Sequence, residues 1–286
     1  MPSVDVGGVS LFYEQKGVGD AVLFVHGIPT DYRAWAAQTG PFSAKYRTVS
    51  MSRRYSAPNA RQGDLTDSTV ENNAEDIRGL IETLGIAPVH LVGHSYGGFA
   101  AAVAAQRRPD LVRSLVLVEP AISTLLVADA ESRAQMLSFL LRCPSVALAA
   151  RRFQTRSLHP SLLALDAGDL DRAANLNVDG VQDSPGAMSK FPAEVRQMMM
   201  DNVRTIAELR TSFPRFKASD AARIPCKTLV VNGESSPLWL RRIGELLVRA
   251  VSGAEGATVS GARHFPHLEN PEQFNSKVLD FLGKVV

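Results

Sequence analysis

Residues 89–99 read Val89-His90-Leu91-Val92-Gly93-His94-Ser95-Tyr96-Gly97-Gly98-Phe99. A short apolar run, as a buried strand would have, meets two glycines that flank His94-Ser95-Tyr96, and small residues suited to a helix continue to Gln106. Gly-x-Ser-x-Gly between a strand and a helix marks a turn so tight that its central residue is strained and its side chain exposed. Neighbours two places away must then be nearly free of side chain. Gly93 and Gly97 meet that demand, and Gly98 leaves room for the helix to approach the sheet. Ser95 is therefore the candidate nucleophile. A glycine-rich strand-to-helix turn also suits phosphate binding. Here Gly-x-Gly-x-x-Gly is absent and the middle position is a reactive hydroxyl.

Outward from this turn, the chain alternates. Residues 21–25, 46–51, 114–118 and 228–232 are short apolar runs that read as buried strands, with an early strand at residues 9–15. Residues 70–84 place Val70, Ala74, Ile77, Leu80, Ile81 and Leu84 at helical spacing, and Gly85 stops the helix. A helix over 238–250, a short strand near 257–260 and a last helix over 271–282 follow, the last with Asn270 as cap and Pro271 at its first position. Continuous apolar strands separated by helices imply a mainly parallel sheet covered on both faces. Between residues 123 and 216 no buried strand is evident; amphipathic stretches at 130–141, 146–153 and 193–213 are punctuated by prolines. An all-helical insertion over 123–214 into a core of 1–122 and 215–286 is the expected organisation.

Composition sets the outer limits. The 286 residues are 45% hydrophobic and 21% charged, which excludes disordered, collagenous and disulfide-scaffold chains. Lys plus Arg number 31 against 29 Asp plus Glu, and the net charge of +2 gives no reason to expect nucleic acid or a polybasic membrane anchor. The start, Met1-Pro2-Ser3-Val4-Asp5, lacks the basic and apolar regions of a secretory signal, and no apolar run is long enough to span a membrane. Cys143 and Cys226 lack metal-ligand spacing and are expected as reduced packing residues. The expectation is a soluble, cytoplasmic protein.

His26-Gly27-Ile28-Pro29 follows the run at 21–25. A tetrahedral intermediate needs two N–H donors aimed at its oxygen. Tyr96, the residue after the nucleophile, offers one backbone N–H; Ile28 offers the other, because Pro29 has none. The His26 side chain reads as packing beneath this turn.

With these motifs and Arg263-His264-Phe265-Pro266-His267-Leu268-Glu269-Asn270-Pro271, the chain resembles the α/β-hydrolase superfamily over almost its full length. The resemblance implies an eight-stranded sheet with helices on both faces, a cap formed by the helical insertion, and a catalytic base in the loop after the last strand. Of the six histidines, His264 occupies that loop; His267 competes but approaches the last helix, and His94 reads as packing behind the turn.

Most superfamily members carry the triad acid as Asp in a Gly-x-x-Asp turn after the seventh strand. Here the turn reads Gly233-Glu234-Ser235-Ser236-Pro237, so a neutral Ser236 stands at that place. Glu234 is two residues early. Glu119 ends the run at 114–118 immediately before Pro120, at the edge of the sixth strand, where zearalenone lactonases are similar in carrying their acid. Glu119 is the favoured acid and Glu234 the alternative.

Trp35 and Tyr96 are candidates for the wall of the acyl pocket. Arg53 and Arg54 read as structural ion pairs, and Met198-Met199-Met200 as the core of a cap helix. The resemblance implies hydrolysis of a small ester or lactone through an acyl-serine, with no metal or organic cofactor. Ser95 argues against dehalogenases and epoxide hydrolases, which look similar but use an Asp nucleophile. Cofactor-free oxygenolysis, carbon–carbon cleavage and a non-catalytic binder on the same scaffold are the rival readings; oligomeric state is not legible.

Overall fold

The computed structural model describes residues 2–59, 65–129, 131–211 and 213–285. Eight strands, β1 (Ser3–Val6), β2 (Val9–Lys16), β3 (Ala21–Val25), β4 (Arg47–Met51), β5 (Val89–His94), β6 (Val112–Val118), β7 (Lys227–Gly233) and β8 (Glu255–Val259), form one sheet. Their order is β1-β2-β4-β3-β5-β6-β7-β8. β1 pairs antiparallel with β2 and β2 with β4, and every pairing from β4 to β8 is parallel. The four residues of β1 alternate between exposed and half-buried with no apolar run, so local patterning barely marks this strand. Gly7 and Gly8, both at positive φ, turn it into β2.

Helices α1 (Ala36–Ser43), α2 (Val70–Leu84) and α3 (Ser95–Arg107) precede the insertion. The insertion holds α4 (Arg133–Arg142), α5 (Pro144–Phe153), α6 (His159–Asp166), α7 (Leu170–Gln182), α8 (Ala187–Lys190) and α9 (Ala193–Asp201). After it come α10 (Ala218–Ala221), α11 (Leu238–Ala250), α12 (Pro266–Glu269) and α13 (Pro271–Leu282). The period-two pleat divides the core: Leu23, Leu91 and Leu115 pack with Phe99 and Ile243 on one face, Phe24, Val92 and Val116 with Phe42 and Phe274 on the other. Local signals fix the helix ends. Thr69 accepts from the Asn72 N–H to start α2, and left-handed Gly85 ends it; Asn270 accepts from the Gln273 N–H to start α13.

The stretch 193–213 is not one helix. It breaks after α9 and resumes as a 3₁₀ stretch, Val203–Arg210. The break falls at Asn202, whose side chain donates to Asp31 (2.7 Å) and accepts from the Ala57 N–H (2.7 Å). That tie to the core is invisible to local periodicity. Residue 130, the expected start of the first insertion helix, lies outside the described residues; α4 begins at Arg133. Among the described residues no helix is long and apolar enough to cross a membrane. Cys143 and Cys226 are unpaired thiols.

Strand register gathers three residues at one edge. His94 pairs with Val118, and Val118 with Val231. The next residues, Ser95, Glu119 and Asn232, therefore emerge side by side at the carboxyl edge of the sheet.

Candidate active site

Ser95 opens α3 at φ 51°, a left-handed conformation that costs a non-glycine residue about 1–3 kcal/mol. The glycines around it are required by contact rather than by φ. A Cβ on Gly93 would lie 2.7 Å from the Gly97 carbonyl oxygen, and one on Gly97 only 2.3 Å from that of His26. The elbow thus presses the start of α3 onto β3 and β5, leaving the Ser95 hydroxyl directed at the loop after β8. There Ser95 Oγ lies 3.0 Å from His264 Nε2.

His264 Nδ1 faces Glu119 Oε2 at 3.4 Å. A carboxylate only accepts, so the ring proton sits on Nδ1 and the Nε2 lone pair meets the serine hydroxyl. This contact is at the long end for an ionised acceptor, and such bonds tighten as the ring gains charge. Glu119 reaches the histidine because its own φ is 47°, which swings the side chain off β6 and across the top of β7. Its N–H still donates to the Val231 carbonyl, 2.9 Å away, so the ladder holds the turn. Oε1 is fully engaged: Asn232 Nδ2 (2.8 Å), the Gly233 N–H (2.8 Å) and Ser236 Oγ (2.7 Å) all donate to it. Ser236 thus occupies the turn as a donor that orients the carboxylate. Glu234 is exposed and accepts from the Gly261 N–H (2.9 Å), directed away from the histidine ring.

Four buried histidines other than His264 are held neutral. Burial, reinforced by the neighbouring His267 and His264, holds His94 well below the ordinary range, and its Nε2–H donates to the His264 carbonyl (2.8 Å). Burial pushes His267 down to about 3 and His90 to about 4. His26 is also held low by burial and by Arg53; its Nδ1–H donates to the Gly27 carbonyl and its Nε2 accepts from the Arg53 N–H. It is a structural pin between two loops. Unfolding returns each histidine to about 6.5. The unfolded chain then binds more protons in acid, so stability is complete above about pH 6.5 and declines as pH falls toward the folded values. Each histidine contributes up to about 1.4 kcal/mol per pH unit. The urea midpoint is expected to fall steadily from about pH 6.5 to about pH 4.5, and His90→Asn should flatten that slope. A midpoint constant over this range would contradict the assignment.

Above Ser95 lies a chamber of about 100 Å³, lined by Ile28, Tyr96, Phe153, Val181, Phe213, Trp239 and other residues. Ile28 thus borders the site, and Tyr96, at the start of α3, has a backbone N–H without an intrahelical partner. The Tyr96 hydroxyl donates to the Ser68 carbonyl (2.7 Å), so the ring supplies wall and not a polar contact. Trp35 does not line the chamber, contrary to the sequence expectation. Its 3₁₀ turn, Tyr32–Trp35, directs the indole beneath the site, where it is fully buried, stacked on His267 (4.5 Å) and packed on Phe24 (5.0 Å). Trp239, stacked on Phe153 at 5.2 Å, is the tryptophan of the chamber.

The insertion is pinned to this site. Gln182, at the end of α7, accepts from the His264 N–H through its side chain (3.0 Å) and from Arg263 through its carbonyl (2.9 Å). Arg53 and Glu208 form a buried pair at 2.8 Å, with the guanidinium 4.8 Å from the centroid of the Tyr96 ring. Arg54 pairs bidentately with Asp76. Met198 and Met199 are core residues. Among the described residues no group of three His, Cys, Asp or Glu side chains is placed to hold a metal ion.

A 2-(acetamidomethylene)succinate hydrolase from Mesorhizobium japonicum is 34% identical over 134 residues, 46% of this chain and 47% of that protein. This chain therefore spans under half of that relative's length. Epoxide hydrolase 3 of Xenopus tropicalis is 27% identical over 275 residues, 91% of this chain and 71% of that protein. Among solved structures, an epoxide hydrolase from Bacillus megaterium, complexed with its product, superposes with a TM-score of 0.75 at 21% identity, over 99% of this chain and 100% of that one. At that identity the likeness concerns the fold alone. Residues 22–277 match the model of the alpha/beta hydrolase family, a span that runs from the second residue of β3 through β8 and takes in Ser95, Glu119 and His264. This chain belongs to the alpha/beta hydrolase family.

Proposed function

We propose that this hydrolase cleaves a carboxylic ester or lactone through an acyl-enzyme on Ser95. The observation that carries the reading is the unbroken line from Ser95 Oγ to His264 Nε2, 3.0 Å, and from His264 Nδ1 to Glu119, 3.4 Å. Ser95 Oγ attacks the carbonyl carbon while its proton passes to His264 Nε2. Glu119 stabilises the imidazolium, and the Ile28 and Tyr96 N–H groups hold the oxyanion. His264 then gives its proton to the departing alkoxide, takes one from the water that attacks the acyl group, and returns it to Ser95 Oγ as the acid leaves. In a lactone the alkoxide stays tethered to the acyl group.

Two further features support an uncharged substrate and a serine route. No Asp, Glu, Lys or Arg lines the chamber among the described residues, so an anionic or cationic substrate would find no counter-charge there. The neutral histidines around His264 leave its imidazolium without a competing cation. Although relatives include an epoxide hydrolase, the elbow here presents a neutral hydroxyl that needs a base, and the base stands beside it.

A panel of p-nitrophenyl esters and small lactones, with Ser95→Ala as blank, tests the proposal together with a fluorophosphonate probe. Hydrolysis accompanied by stoichiometric labelling of Ser95 is expected. Absence of both, or oxygenolysis or carbon–carbon cleavage that survives Ser95→Ala, would overturn it.

A further inference from the structure

Asn177 sits on α7 in the wall of the chamber. It is only 1% exposed, yet its Nδ2 has no hydrogen-bond partner among the described residues. A buried amide in a folded protein ordinarily finds a partner, because leaving one unmet forfeits its hydration with nothing in return. The rest of α7's buried stripe is Ala173, Ala174, Val178, Val181 and Gln182. Of its two polar members, Gln182 is spent on the His264 loop. The Asn177 Nδ2 is spent on nothing among the described residues.

The surroundings define what would satisfy it. Leu158, Val181, Leu209, Phe213 and Trp239 make the chamber chiefly apolar, and no charged side chain lines it among the described residues. A helix rises about 1.5 Å per residue, so Asn177 lies about 7.5 Å along the axis from Gln182, where the helix meets the base loop. We propose that Asn177 recognises an oxygen acceptor, a carbonyl or hydroxyl oxygen, on the far side of an otherwise apolar and uncharged ester or lactone. The inference rests on the acyl-transfer reading of Ser95 and names the substrate class for it. It makes Asn177 a specificity-determining residue, since a site with an amide left unpaired rejects the analogue that lacks the acceptor.

The test compares 4-acetylphenyl acetate with 4-isopropenylphenyl acetate, and the two 3-substituted isomers likewise, in the native enzyme and in Asn177→Leu. Each pair has nearly the same shape and differs in C=O against C=CH₂. Leaving-group differences cancel in the ratio of ratios. The native preference in kcat/KM for the acetyl member of at least one pair should drop about tenfold or more in Asn177→Leu. The variant's Tm should equal or exceed the native value, because an unmet buried amide has been removed. A preference unchanged within about twofold for both pairs would overturn the proposal, as would a Tm loss of several degrees without any change in preference, the mark of a structural residue. If none of the four aryl acetates is turned over and the fluorophosphonate probe leaves Ser95 unlabelled, the acyl-transfer reading fails separately. Calorimetric binding of 4-acetylanisole against 4-isopropenylanisole then decides the role of Asn177 by the same comparison.

Discussion

Glu119→Gln lowers kcat by about 10³–10⁴ while Glu234→Gln changes it little. The amide keeps the shape of the side chain and still fills the nest made by Asn232, Gly233 and Ser236. Three donors already claim Oε1, which fixes the Gln oxygen there and turns its NH₂ toward His264 Nδ1. A donor at that position forces the imidazole proton onto Nε2, the nitrogen that must receive the proton of Ser95. The loss is one of tautomer and charge, so KM is expected to move much less than kcat. Glu234 is exposed and bonded to the Gly261 N–H, and its neutralisation leaves that geometry untouched. Equal losses in the two variants, or the larger in Glu234→Gln, would place the acid elsewhere.

Ser95→Ala carries the other large effect, a fall in ester turnover of about 10⁴–10⁶. Groups that act as one unit are not additive. Once the nucleophile is gone, His264 and Glu119 have no serine proton to move, and adding Glu119→Gln to Ser95→Ala should cost almost nothing more. The variant should also keep its fold. Alanine removes one hydroxyl from a residue whose hydrogen bond is to His264 alone among the described side chains, while the left-handed backbone is imposed by the contacts of Gly93 and Gly97. A double variant that loses a further factor of a hundred or more would mean that Glu119 acts independently of Ser95.

Much of the frame is legible because local chemistry dictates it. Gly93 and Gly97 announce the elbow since no Cβ fits there, and Thr69, Gly85 and Asn270 set helix ends through caps that act within one turn. Glu119 is legible by contrast, as a carboxylate closing an apolar strand when Ser236 fills the usual place. The structure adds that Ser236 serves the same carboxylate as a donor. Trp35 is misread because its distance from the loop in sequence says nothing of the face onto which a 3₁₀ turn points it. Asn177 and Gln182 escape because their partners, or the space they border, lie far along the chain. A signal does exist in retrospect: both fall on the stripe of Ala173, Ala174, Val178 and Val181 at helical spacing, and a polar residue on an apolar stripe is bound to something or waiting for it.

Intact-protein mass spectrometry during turnover of a slow ester or lactone reads a covalent intermediate on Ser95 directly. An increase equal to the acyl group, mapped to the peptide containing Ser95 and absent in Ser95→Ala, is the predicted result. Substrate consumed at the native rate with no adduct at any quench time, and consumed equally by Ser95→Ala, would contradict it.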